Sequence, residues 1–311
     1  MVTTATTMSI KTLIVIVGPT GSGKTDLSIS VAENFGAPII STDSRQFYRG
    51  IPIGTAQPDE EQLARVKHHF IASHELTDEF NCGAYEVAAL KRLEELFSEN
   101  DVVVAVGGSG LYVKALCEGM DDMPEVSAEL RQTLAERLKA EGLESLAEEL
   151  RERDPKFYDV VDRKNPARVL RALEVCIATG RPYSELRTGE RRERAFNIVK
   201  IGTDMPRDVL YERIDRRVDI MMEQGLEQEA RSVYHLRDCN SLQTVGYREM
   251  FDYFDGTISR DEAVELIKRN SRRYAKRQLT WFRRDDEIKW FHPAERNAII
   301  SYLESNICTL K

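Results

Sequence analysis

Gly18, Pro19, Thr20, Gly21, Ser22, Gly23, Lys24 and Thr25 match G-x-x-x-x-G-K-[ST] at every position. Glycines at this spacing let the backbone turn tightly, so that consecutive N–H groups point into one concavity suited to an anion. Lys24 adds a point charge for a terminal phosphate, and the Thr25 hydroxyl is placed to hold a Mg²⁺ ion. A second candidate is Asp43, in the run Ser41-Thr-Asp-Ser-Arg-Gln46. A third is Lys268–Arg284, KRNSRRYAKRQLTWFRR, with eight basic residues, no acidic one, and Tyr274, Trp281 and Phe282 interleaved. That mixture suits a nucleic-acid backbone with bases stacked on rings, against the blander reading of a solvated helix face.

The elements that must position these residues follow from periodicity. Leu13–Val17 is an apolar, β-branched run, as expected of a strand buried on both faces. A helix beginning near Lys24 carries Leu27, Val31 and Phe35 on one face and ends at Gly36; Pro38–Ile40 opens a second strand. This β–loop–α–β opening predicts an α/β fold, a P-loop NTPase-like doubly wound parallel sheet. Its ligands gather at the carboxyl ends of the strands, which puts Asp43 beside the loop. Residues 47–72 are irregular with one short helix, and His68-His69 reads as a strand start or solvated pair rather than a metal site. Tyr85–Ser98 is a helix. The strand Asp101–Val106 ends in Gly107-Gly108-Ser109-Gly110 instead of the Asp that helps hold Mg²⁺ in ATPases. Those glycines predict close approach of another molecule to the backbone, and the missing carboxylate counts against an ordinary nucleotide hydrolase.

From Asp121 the composition shifts, with twelve acidic against five basic residues between Glu118 and Asp154 and leucines at helical intervals. We read a helical insertion domain at 121–195, split near Gly142, between a first core part at 1–120 and a second at 196–311. Asn165-Pro166 supplies an N-cap and first position for a helix running to Thr179. Phe196–Gly202 returns to the sheet, Pro206–Gln224 is a helix carrying Arg213, Arg216 and Arg217, and Ile288–Phe291 is a last strand.

With 311 residues, 41% hydrophobic and 31% charged, the chain is long enough for an α/β core plus one further domain. Its net charge of −8 means that any nucleic-acid contact needs a local basic patch. Five scattered cysteines without a C-x-x-C pair argue against disulfides or zinc and suit a reducing cytoplasm. Apolar runs fall well short of the ~20 residues that cross a membrane. Met1–Lys11 shows neither a signal core nor a transit pattern, and a cytoplasmic, monomeric protein is the expectation.

Six blocks in order resemble the bacterial tRNA dimethylallyltransferases, also called tRNA isopentenyl transferases. They are GPTGSGKT at Gly18–Thr25, STDSRQFYRGIPIGTAQP at Ser41–Pro58, GGSGLYVKAL at Gly107–Leu116, NPARVLRALEV at Asn165–Val175, QTVGYREM at Gln243–Met250 and AKRQLTWFRR at Ala275–Arg284. The resemblance implies transfer of a dimethylallyl group from dimethylallyl diphosphate to N6 of an adenosine beside the anticodon of tRNA, with Mg²⁺. It casts Asp43 as the base that takes the amine proton, Thr25 as the Mg²⁺ ligand, and Arg217 as the diphosphate arginine, with Arg213 and Arg216 as rivals. For tRNA it implies Asp43, Ser44, Arg45, Gln46, Ser109 and Arg131. It adds Ala167, Arg168, Val169, Leu170 and Arg171; Gln243, Thr244, Val245, Gly246, Tyr247 and Arg248; and Lys276, Arg277, Gln278, Trp281 and Arg283. Ser109 stands where many relatives carry Thr, and Gln243 where some carry Arg. A small-molecule kinase, an RNA-stimulated ATPase and a prenyltransferase acting on free AMP or ADP are the rivals.

Overall fold

A computed structural model of the protein describes residues 10–308; the stretch read as free of targeting signals lies, up to residue 9, outside the described residues. The first half runs β1 (Thr12–Val17), α1 (Lys24–Phe35), β2 (Ile39–Ser41), α2 (Pro52–Thr55), α3 (Glu60–Arg65), β3 (His68–His69), α4 (Cys82–Glu99), β4 (Val102–Gly107) and α5 (Gly110–Glu118). Four helices follow: α6 (Ala128–Arg153), α7 (Pro155–Tyr158), α8 (Pro166–Thr179) and α9 (Tyr183–Leu186). The chain then forms β5 (Asn197–Thr203), α10 (Arg207–Glu223), α11 (Leu226–Ser232), α12 (Tyr247–Phe254), α13 (Arg260–Phe282), β6 (Lys289–Phe291) and α14 (Arg296–Cys308).

The six strands are all parallel, in the order β3-β2-β4-β1-β5-β6. β1 is therefore central, and its last residue, Val17, stands opposite Gly107 on one side and Gly202 on the other. Side chains alternate across the pleat. Leu13, Val15 and Val17 join Ile40, Val103 and Ala105 in one apolar layer, while Ile14 and Ile16 join Ile39, Val104 and Ile201 in the other. The first layer is covered by Tyr85 and Leu93 of α4, Leu116 of α5 and Ile267 of α13; the second by Leu27 and Val31 of α1 and Ile299 and Leu303 of α14. The paired histidines form the two-residue edge strand β3, and no cluster of three His, Cys, Asp or Glu suited to a metal occurs among the described residues. Among the described residues, Cys82, Cys117, Cys176 and Cys239 form no disulfide. No described helix is long and apolar enough to cross a membrane.

The backbone divides into two compact units, Met1–Cys117 with Glu193–Lys311, and Glu118–Arg192. The second unit has its own core, including Leu134, Leu146, Leu150, Phe157, Val169 and Leu173. Gly142, at φ 84° and ψ 167°, breaks α6 as its sequence suggests. Asp154 is the unit's buried polar pin. It is 1% exposed, and its carboxylate accepts from Phe157 N (2.9 Å), Ser184 N (2.7 Å) and Ser184 Oγ (2.7 Å). Asp154→Ala leaves those donors without their charged acceptor and is expected to destabilise the unit by about 2–3 kcal/mol, read by chemical denaturation with hydrogen exchange on α7.

Candidate active site

β1 delivers the chain directly into the phosphate loop, where two glycines are required by space as well as by angle. A Cβ on Gly18 (φ +147°) would lie 2.1 Å from Thr203 Oγ1, and one on Gly21 (φ +80°) 2.9 Å from an Ile214 side-chain carbon. The Pro19 carbonyl accepts from Ser22 Oγ (2.8 Å) and from Lys24 Nζ (2.6 Å). Ser22 Oγ also lies 2.6 Å from Thr203 Oγ1, so this hydroxyl shapes the loop from within. Gly23, in the left-handed region, opens α1, whose N-terminal partial charge favours an anion here. Burial pulls the Lys24 ammonium down to about 8; the Asp43 carboxylate works against that shift and the Arg217 guanidinium adds to it.

Asp43 leaves β2 at its carboxyl end. One carboxylate oxygen accepts from Arg45 N at 3.0 Å, an Asx turn that orients the side chain, and its own N–H donates to Ser41 Oγ at 3.2 Å. Ser109 Oγ accepts from Ser44 N at 3.0 Å and donates to Ser44 Oγ at 3.1 Å, tying the β4–α5 loop to the loop that carries Asp43. Of the three candidate arginines on α10, Arg217 is half-buried and lines the cavity, with Nη1 3.5 Å from Thr20 Oγ1. Arg213 is exposed and donates to the Gly21 carbonyl at 3.0 Å; Arg216 is exposed and does not line the cavity.

A cavity of about 730 Å³ gathers Thr20, Lys24, Thr25, Asp43, Arg217 and Tyr274. Ser44, Arg45, Gln46, Gln243, Thr244, Val245, Gly246, Arg248, Arg277 and Gln278 also line it. Its apolar wall, Ile214, Val218, Met221, Leu226 and Ile267, was not legible as part of a site. The spacing of Ile214, Val218 and Met221 marks one face of α10, but the same spacing describes an ordinary core helix. Tyr274, read from the sequence only as a ring of the basic run, also lines the cavity; burial and, next, the facing Asp43 charge raise its hydroxyl to about 12.

Other candidate residues stand elsewhere or are committed inward. Arg131 and Ala167–Arg171 belong to the helical unit, on α6 and α8; Ala167 and Arg168 are exposed, Leu170 and Arg171 half-buried, and the Val169 side chain is buried in that unit's core. Tyr247 is fully buried, its hydroxyl bound to Glu229 and Ile51 O, and Gln278 is 5% exposed. Lys276, on the exposed side of α13, and Arg283, just past its end, lie outside the cavity; so does the partly exposed Trp281, whose ring packs on Gly110.

Two expectations need correction. Gly107 and Gly108 admit the chain itself: a Cβ would lie 2.2 Å from Thr42 Oγ1 at Gly107 and 2.2 Å from Gln278 Nε2 at Gly108. The basic run on α13 is not wholly uncompensated either. α10 packs along it and pairs Asp215 with Arg272 and Asp219 with Lys268 (2.8 Å), and Asp204 meets Arg283 at 2.9 Å. Arg273, Lys276 and Arg277 have no acidic partner among the described residues.

The donor set fits Mg²⁺ brought in with a polyphosphate. A Thr25 hydroxyl and an Asp43 carboxylate in one cavity are hard oxygen donors, too few for an all-protein cage and suited to an ion that keeps waters and phosphate oxygens.

The sequence model of the family described as IPP transferase matches residues 46–285. A tRNA dimethylallyltransferase 1 of Bacteroides fragilis is 52% identical over 300 residues, covering 96% of this chain and 100% of the relative. A tRNA dimethylallyltransferase 2 of Porphyromonas gingivalis is 53% identical over 291 residues, covering 93% and 97%. The crystal structure of a full-length tRNA isopentenylpyrophosphate transferase from Bacillus halodurans superposes with a TM-score of 0.72 at 37% identity, over 96% of this chain and 98% of that one. A glycine-rich loop, a strand-end aspartate and a basic helix around one cavity thus coincide with full-length similarity, and the chain belongs to the IPP transferase family.

Proposed function

We propose that this chain is a tRNA prenyltransferase that moves a dimethylallyl group from dimethylallyl diphosphate to N6 of the adenosine on the 3′ side of the anticodon. The observation that carries the reading is the meeting of Lys24, Thr25 and Arg217 with Asp43 in one cavity. Cations stabilise a diphosphate leaving group, while a carboxylate serves the opposite need, removing a proton from a weakly nucleophilic amine. N6 attacks C1 of the allyl group, the C1–O bond breaks, diphosphate departs, and the N6 proton passes to Asp43. Thr25 and the diphosphate would hold Mg²⁺, which supplies charge neutralisation to the leaving group. The apolar wall suits the five-carbon chain, and the adenosine must leave the anticodon stack to enter.

The same reading assigns tRNA contacts to the cavity rim, to Arg131 and Ala167–Arg171 of the helical unit, and to the free cations of α13. Replacing Arg273, Lys276 and Arg277 together by Gln is expected to weaken tRNA binding and reduce the slope of log K against log salt by about 2. An unchanged slope would remove α13 from the interface. The reaction itself is tested by supplying labelled dimethylallyl diphosphate and Mg²⁺ with unmodified tRNA, with AMP, or with neither, beside a set with γ-labelled ATP. Label in tRNA alone is the expected result. Label in AMP would move the acceptor to a free nucleotide, and label leaving only ATP would make the chain a kinase or ATPase.

A further inference from the structure

We propose that Gln278 is a positioning residue for the phosphate loop, its buried amide fixing Thr20 of that loop against Gly108 of the β4–α5 loop. The proposal rests on the reading that the phosphate loop holds the donor's diphosphate. A glutamine amide has a carbonyl that accepts and an NH₂ that donates. Both ends are used: Oε1 accepts from Thr20 N at 2.9 Å, and Nε2 donates to Gly108 O at 2.8 Å. With an N–H on one side and a carbonyl on the other, the flipped amide would set donor against donor and acceptor against acceptor. Gly108 must be glycine for this contact, since a Cβ there would lie 2.2 Å from Nε2.

The same face of α13 holds the rest of that loop. Tyr274, one turn before Gln278, reaches toward Ser109, and the Trp281 ring lies where a Cβ on Gly110 would be 2.3 Å away. Ser109 in turn bonds Ser44, the neighbour of Asp43. Gln278 is thus the link by which the helix bearing the free cations Arg273, Lys276 and Arg277 meets the diphosphate loop. Although it lies within a segment that otherwise suits RNA, its own side chain faces away from solvent.

The test uses the full-length protein and three readouts: binding of inorganic diphosphate with Mg²⁺ by calorimetry without tRNA, donor KM and kcat at saturating tRNA, and tRNA affinity by filter binding. Gln278→Leu should weaken diphosphate binding and raise donor KM by tenfold or more, with tRNA affinity within twofold. Gln278→Glu provides a signature that a merely structural role would not give. Its ionised carboxylate can accept from Thr20 N but turns a second acceptor toward Gly108 O; only the protonated acid restores the donor. Diphosphate binding by this variant, relative to wild type at the same pH, should recover several-fold from pH 8 to pH 6. Lys24, Asp43, Arg217, Arg277 and Tyr274 line the same cavity in both proteins, so the ratio to wild type removes their common titration. Gly108→Ala presses on the same amide without adding charge, should reproduce the donor defect, and should add little to Gln278→Leu. Loss of tRNA affinity with unchanged diphosphate binding in Gln278→Leu would make Gln278 an RNA contact and overturn the proposal, as would a Gln278→Glu ratio flat with pH. Wild-type protein that binds no diphosphate would sink the reading of the loop, and the proposal with it, before any variant is compared.

Discussion

Asp43→Asn lowers kcat for prenyl transfer by about 10²- to 10⁴-fold while tRNA affinity stays within a few-fold of wild type. The substitution is chosen for what it keeps. Asn can still accept from Arg45 N, so the Asx turn and the loop path survive, and size is unchanged. What it removes is the negative charge facing Lys24 and Arg217 and the ability to take a proton. A base is needed because the adenine amine lone pair is delocalised, and its proton must leave as the C–N bond forms. Single-turnover kinetics with pre-bound tRNA isolate that step. Near-normal turnover would refute the assignment, leaving Asp43 as a loop cap.

The second large effect is expected at Lys24. Lys24→Met should reduce kcat/KM for the donor by about 10²- to 10³-fold, the cost of removing one charge-stabilising donor from a buried anion site. The wild-type profile carries a further mark. Burial lowers the Lys24 ammonium from 10.5 to about 8, so the free protein loses this cation as pH rises through about 8. Donor kcat/KM should fall over the same range and lose that limb in the Met variant. The sign for stability is opposite. Between about 8 and 10.5 the unfolded chain binds the proton that the folded chain has released, so this group makes folding more favourable as pH rises through that window. Below it the buried charge is a standing strain on the fold, and Lys24→Met should not lower the thermal midpoint at pH 7.

Much of the parallel core was legible because β1 and β4 are continuous apolar runs, each leading into a glycine-rich loop, as expected of strands buried on both faces. The start of α13 was not read from the sequence: it begins at Arg260, behind a Ser259/Glu262 capping box, eight residues before the basic run. α14 was not legible: among the described residues Ile299 and Leu303 are its only fully buried pair, a short signal in a polar segment. For the candidate site, local motifs pointed to the residues nearest the strand ends. They could not reveal the partners that arrive from far along the chain. Asp215 and Asp219 offset α13 charges from a different helix, and Gln278 fills the space that Gly108 leaves open. Nor does a motif tell which members face inward; Val169 and Tyr247 sit within matched blocks yet bury their side chains.

The placement of β1 between β4 and β5 also bears on how the protein is made. One edge of the central strand is met by Val102–Gly107, but the other waits for Asn197–Thr203, after the whole helical unit has been synthesised. Thr20 waits longer still, for a side chain 258 residues downstream. The phosphate loop is thus made well before the two segments that complete it. A nascent chain exposes an unpaired apolar strand edge through much of its synthesis, a hazard that favours chaperone contact. The anion site is likewise unfinished until the helix that carries Gln278 has been made.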